Sequence, residues 1–165
     1  MAAAQLDSAA VTTSYDKSSL DQTFRHLLIT WQGVSSRSAN EDDVYVRFNN
    51  DSGSSYDYTS LDVLNTTVAG TPAAGATILR VGACKAASGT SSKTGVGFVL
   101  VPSYTETTNH KAVIGGNFSI YGTSAAGIRV AVSGGLWRST NAISRIQLGA
   151  ANGNFTGRVS VYGLP

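Results

Sequence analysis

Charge is scarce in this 165-residue chain: only 13% of residues are Asp, Glu, Lys or Arg, with twelve bases against ten acids and a formal net charge of +2. So few cations argue against the dense basic surface on which general nucleic-acid binding depends. Cysteine is scarcer still. A single Cys84 excludes an intrachain disulfide and most multi-cysteine metal centres. With only Lys85 beside it to lower its pKa, Cys84 reads as a small apolar packing residue and not as a nucleophile. No apolar run reaches the roughly 18 residues that span a bilayer. The opening MAAAQLDSAAVTTSYDK lacks the basic-then-apolar order of a secretory signal, so synthesis in the cytoplasm is expected. Amphipathic helices are missing as well: the Ala-containing segments 69–76 and 83–92 are broken by Gly, Pro or Ser and read as loops.

What the chain does have is eighteen glycines and many Ser, Thr and Ala residues, arranged around short apolar stretches. Each stretch runs five to eight residues and closes on Gly, Ser, Asn or Pro, the pattern of strands in an all-β domain. Strands are expected near 10–16, 23–32, 43–49, 56–66, 76–83, 95–102, 110–120, 127–137, 142–148 and 155–163. Eight to ten antiparallel strands fit a two-sheet sandwich, here a single domain over residues 10–165. Residues 1–9 are small and polar enough to form a flexible arm. Acids and bases are also unevenly spread. Residues 1–62 hold nine acids and four bases, whereas 63–165 hold one acid and eight bases, which gives a dipolar domain unless the halves interleave.

Several constellations offer chemistry. In RFNNDSGSSYDY (47–58), an EF-hand count from Asn49 reaches Ser60 where the bidentate Glu belongs, so that match fails. A looser calcium site from Asn50, Asp51 and Asp57 stands beside the plainer reading of a turn. Glu41, Asp42 and Asp43 form a strand entrance in which only Glu41 and Asp43 can share a face. A polysaccharide depolymerase needs two converging carboxylates, and Glu106 with Glu41 or Asp43 is the only set on offer. His26 and His110 lack a third metal ligand and read as sheet-edge residues. The glycine pairs at 115–116 and 134–135 lie inside strand patterns, which suggests bulges or close sheet contacts and not a phosphate cradle. Trp31 reads as core. Trp137, with Tyr104, Tyr121 and Asn152, makes a candidate glycan or partner contact, against the alternative that the rings simply pack. No catalytic residue, metal or cofactor is expected.

The segments HLLITWQGVSSRS, DDVYVRFNNDSGSSYDY, VLVPSYTETTNHKAV, GGLWRSTNAISRIQL and GNFTGRVSVYGL resemble a group of small tailed-bacteriophage virion proteins and tail-protein domains, from about residue 15 onward. The resemblance implies a jelly-roll-like sandwich on the outside of a virion, assembled as a symmetric oligomer, commonly a trimer. It also implies that Arg47, Phe48, Asp51, Tyr56 and Tyr58 hold a hairpin. A short arm without coiled-coil heptads or fibre repeats then leads to the expectation of a head decoration (cement) protein. Its arm or a sheet edge would clasp the major capsid protein, with neither nucleic acid nor membrane as partner. The alternative is a tail or baseplate appendage, partnered by tail proteins, whose loops bind a host-surface glycan.

Overall fold

The short stretches become twelve strands in the computed structural model, which describes residues 2–89, 94–120 and 127–165. They are β1 (Ala4–Val11), β2 (Tyr15–Lys17), β3 (His26–Ser35), β4 (Glu41–Phe48), β5 (Tyr56–Leu64) and β6 (Thr67–Ala76), followed by β7 (Leu79–Lys85), β8 (Gly95–Val101), β9 (Lys111–Ile120), β10 (Ile128–Trp137), β11 (Ile146–Ala150) and β12 (Phe155–Leu164). Eight of them form one antiparallel layer in the order β1-β12-β3-β8-β9-β10-β5-β6. The other four form a second antiparallel layer, β2-β11-β4-β7. One parallel pair, Val34 with Lys85, joins β3 to β7 and makes the two layers one continuous sheet.

Alternation explains the half of the sandwich built on β3 and β4. Leu27, Ile29 and Trp31 of β3 and Val44, Val46 and Phe48 of β4 point inward and are buried, each contributing about 1.5–3 kcal/mol when an aliphatic or Phe side chain is withdrawn from water. The ring of Phe48 lies 5.7 Å from that of Trp137 and 6.4 Å from that of Tyr56, while Trp31 meets Phe155 edge-on at 6.2 Å. Glycine permits the tightest approach: a Cβ on Gly157 would sit 2.1 Å from the Gln32 carbonyl oxygen, so β12 can lie against β3 only without one.

The all-β class stands as expected, with twelve strands in place of eight to ten. Residues 1–9 are not a free arm where they are described. Ala4–Val11 pairs along β12, the Tyr15 hydroxyl donates to Asp7 at 2.8 Å, and Leu6, Ala9 and Val11 pack on the core. The expected loop 69–76 lies within β6, an edge strand paired to β5. Its TVAGTPAAGA carries no hydrophobic alternation because residues 67–72 are exposed on both faces. Nor is 47–58 a hairpin. β4 pairs with β7 and β11 while β5 pairs with β6 and β10, so this stretch is a corner that carries the chain from one layer to the other.

Candidate functional site

At the corner, Asn49 and Asn50 adopt left-handed backbone (φ 52° and 58°), which Asn tolerates better than most residues. The Asn49 side chain clamps the opposing loop, accepting from the Ser144 and Arg145 amides at 2.8 and 3.1 Å and donating to Ala142 at 2.8 Å. Asp51 is committed on both oxygens, to the Gly53 amide at 2.8 Å and to the Trp137 indole at 2.7 Å. The indole hydrogen bond holds its carboxyl below the usual range, ahead of the opposing effect of burial. Asp57 accepts from the Gly75 amide and faces Arg138. The Asp51 and Asp57 oxygens proposed for a looser calcium site therefore serve the corner itself.

The candidate glycan contact does not form a platform. Trp137 is 2% exposed, wedged beside Phe48 with its indole spent on Asp51, and Tyr104 is fully buried with its hydroxyl donating to the Asp21 carbonyl. Neither ring offers a face to a ligand, because each fills the core and satisfies its polar tip there. Asn152 is exposed, but its side-chain amide and backbone amide both donate to the buried Asp42, at 2.9 and 3.1 Å. Tyr121 lies outside the described residues. Of the candidate carboxylates, Glu106 bonds Thr108 and Asn109 of its own loop, whereas Glu41 and Asp43 each pair with a buried arginine. His26 accepts from the Ser103 amide at 3.0 Å. Burial, first, and then Asp42, Asp43 and Glu41 push the Cys84 thiol up to about 12.

A different feature dominates the molecule. Along β8, β9, β10, β5 and β6 the registers place residues in rows across the sheet. One row runs Val96, Phe118, Val130, Val63, Val68; the next runs Phe98, Gly116, Val132, Leu61, Gly70; a third runs Leu100, Ile114, Gly134, Thr59, Pro72. These rows face outward. Leu61, Val68, Val96, Phe98, Ile114, Phe118, Ile128, Val130 and Val132 are each between 39% and 62% exposed. No row contains a charged residue. A hollow of about 430 Å³ opens among Val96, Phe98, Phe118, Val130 and Val132.

The intervening rows point inward and are polar: Asn117, Ala131 and Asp62 in one, Ser133 and Ser60 in another, Ser119 and Arg129 in a third. β7 lies over them, and Gly82 permits the approach, since a Cβ there would meet the Asn117 side chain at 2.7 Å. Asp62 is the hub. It accepts from Arg80 at 3.2 and 3.3 Å, from Arg129 at 2.7 and 2.9 Å and from Ser60 at 2.8 Å. Arg80 also reaches Asp43 at 2.7 Å, and Arg129 reaches Glu41 at 2.7 Å. Burial would raise the Asp62 carboxyl, but the hydrogen bonds from Arg80, Arg129 and Ser60 outweigh it and hold the group below the usual range. In β5, β9 and β10 the ordinary order of a half-buried sheet is thus reversed, with charge inside and Val, Leu, Ile and Phe outside.

No family model matches the chain, and no curated protein matches it. Among solved structures, the carbohydrate-binding module CBM40 of the Ruminococcus gnavus IT-sialidase, bound to alpha2,3 sialyllactose, superposes with a TM-score of 0.34 at 9% identity, covering 96% of this chain and 90% of that one. A single mutant of Congerin II gives a TM-score of 0.36 at 11% identity, covering 90% and 98%. Likenesses this slight carry no argument about function.

Proposed function

We propose that this chain is a non-catalytic structural protein of a tailed-bacteriophage virion, seated on the outer surface of the head against the major capsid protein. The virion context comes from the sequence resemblance. The observation that carries an assembly role is the outward apolar face of β8, β9, β10, β5 and β6. The largest apolar patch on a typical monomer is roughly 300–600 Å² and is often functional. Nine partly exposed large apolar side chains gathered on one sheet mark such a patch, and a surface of this kind favours a partner that covers it. The candidate catalytic and glycan-contact residues in described positions, by contrast, are mostly tied into structural hydrogen bonds, which favours a packing part over an enzyme or a lectin.

Immunogold electron microscopy of intact particles of the phage that encodes the chain tests the location, using antibody raised against the purified protein. Gold distributed over the heads is the expected result. Gold confined to the tail tip, or particles without gold, overturns the head assignment.

A further inference from the structure

The reading of the apolar face as an assembly surface leaves its occupant open, and the inference here rests on that reading. We infer that the occupant is a second copy of this chain: β8, β9, β10 and β5 stack face to face with the same strands of a neighbouring protomer in a homo-oligomer.

Three observations single out a copy. The first is area. The nine exposed side chains span five neighbouring strands, a face broad enough to supply much of the roughly 800 Å² that each partner gives to a standard stable interface. The second is charge. The three outward rows contain no charged residue, so bringing the face against itself places no like charges in opposition and leaves no ion unpaired, which a self-complementary contact requires. The third is relief. The face carries its own knobs and its own holes: Leu61 and Val132, paired in register, are 55% and 53% exposed. Beside them are the hollow among Val96, Phe98, Phe118 and Val130 and the Gly134 position, where a Cβ would meet nothing within 4 Å. Two such faces can interlock at the roughly 10 Å spacing of packed sheets.

The interior supports the same conclusion. Behind this face Asn117 Oδ1, Ser119 Oγ, Ser133 Oγ and Glu41 Oε2 are buried without a hydrogen-bond partner among the described residues, and each such group costs stability. Apart from Tyr56, Val113 and Trp137, which join the core, the inward positions of β5, β9 and β10 are mostly polar or small, so the apolar burial of their outward rows is left to the oligomer. Edge-to-edge pairing through β6 is disfavoured because Pro72 sits on that open edge without an N–H to offer. The contact is therefore assigned to the face.

Sedimentation velocity on the full chain, with and without V132E/L61E, decides the matter. Both positions face solvent in the monomer, so the substitutions leave its interior untouched. The expected result is a discrete dimer at micromolar concentration, with a dissociation constant raised at least about 100-fold by the paired glutamates and an unchanged circular dichroism spectrum. Should V132E/L61E misfold, V132T/L61T, which places β-branched side chains at both strand positions, is expected to weaken the oligomer in the same direction. Asn141→Asp, in the exposed loop between β10 and β11, is expected to leave it intact. A wild-type monomer at all concentrations, or an oligomer indifferent to both double variants, overturns the inference. Neither outcome depends on where gold falls on the virion, so the two readings fail separately.

Discussion

Asp62 and Asp43 both pair with Arg80 but differ in burial, and replacing each by Asn separates two effects of charge. The Asp62 side chain is 2% exposed and also holds Arg129, whereas that of Asp43 is 44% exposed and makes one contact, at 2.7 Å. Removing one partner of a buried ion pair leaves the other charge uncompensated in a weakly polar interior, at a cost of about 3–5 kcal/mol. For Asp62→Asn two guanidinium groups lose their shared hub but keep Asp43 and Glu41, so the lower part of that range, about 3 kcal/mol, applies. For a domain of this size the melting temperature should drop on the order of 10 °C. Asp43→Asn removes a solvent-screened contact, worth about 0–1 kcal/mol, and should shift the melt by no more than about 3 °C. Urea unfolding followed by tryptophan fluorescence reads both. The pH dependence supplies a second check. Because the folded carboxyl of Asp62 lies below its ordinary value, its stabilisation is fully present above the unfolded value near about 3.9 and is lost as pH falls through the depressed folded value. The stability of Asp62→Asn should therefore fall less steeply below about pH 4 than that of the wild type. Equal losses for the two variants, or a loss below about 1 kcal/mol for Asp62→Asn, would refute the hub assignment.

Two further outcomes are expected. Cys84 is fully buried and its thiol is pushed up to about 12, so Ellman's reagent at pH 8 should leave it unmodified in the native protein and titrate one thiol in denaturant; prompt reaction without denaturant would contradict the packing around β7. Deleting residues 2–11 should destabilise the protein by about 3 kcal/mol, the scale of the lost contacts of Leu6 and Val11, because β12 loses its β1 partner and Tyr15 loses Asp7. An unchanged unfolding midpoint would restore the picture of a free arm.

The all-β class and most strands were legible because β3, β4 and β12 follow ordinary alternation around a core. β1 and β6 were not, since AQLDSAAV and TVAGTPAAGA lack a hydrophobic rhythm and are fixed by their pairing partners. The apolar face was hidden for a subtler reason. In IRVAVS (128–133), NFS (117–119) and SLDV (60–63) the alternation is plain, but period two says only that there are two faces. Ordinary reasoning turns Ile, Val, Phe and Leu inward and Arg, Ser, Asn and Asp outward. The structure does the opposite because Arg80, arriving from β7, makes the inner side of β5 and β10 a site for acids. Nothing local in the sequence signals that partner, which lies eighteen residues from Asp62 in the chain. For Trp137 and Tyr104 the sequence leaves contact and packing both open, because a strand-end aromatic beside Arg or Ser looks the same whether its polar tip meets water or, as here, Asp51 and the Asp21 carbonyl.

Pairing β12 with both β1 and β3 also sets a schedule. The wide layer gains its β1–β12–β3 section only after residues 155–164 have emerged from the ribosome. That is on the order of 10 s after β3 at the usual rates of synthesis. Contacts so distant in sequence make for slow folding even in a finished chain. In the last part of that interval β8, β9 and β10 are synthesised, with their Val, Ile and Phe rows exposed, while the wide layer is still incomplete. Yield on expression is therefore expected to respond to chaperone supply and growth temperature more than to final stability.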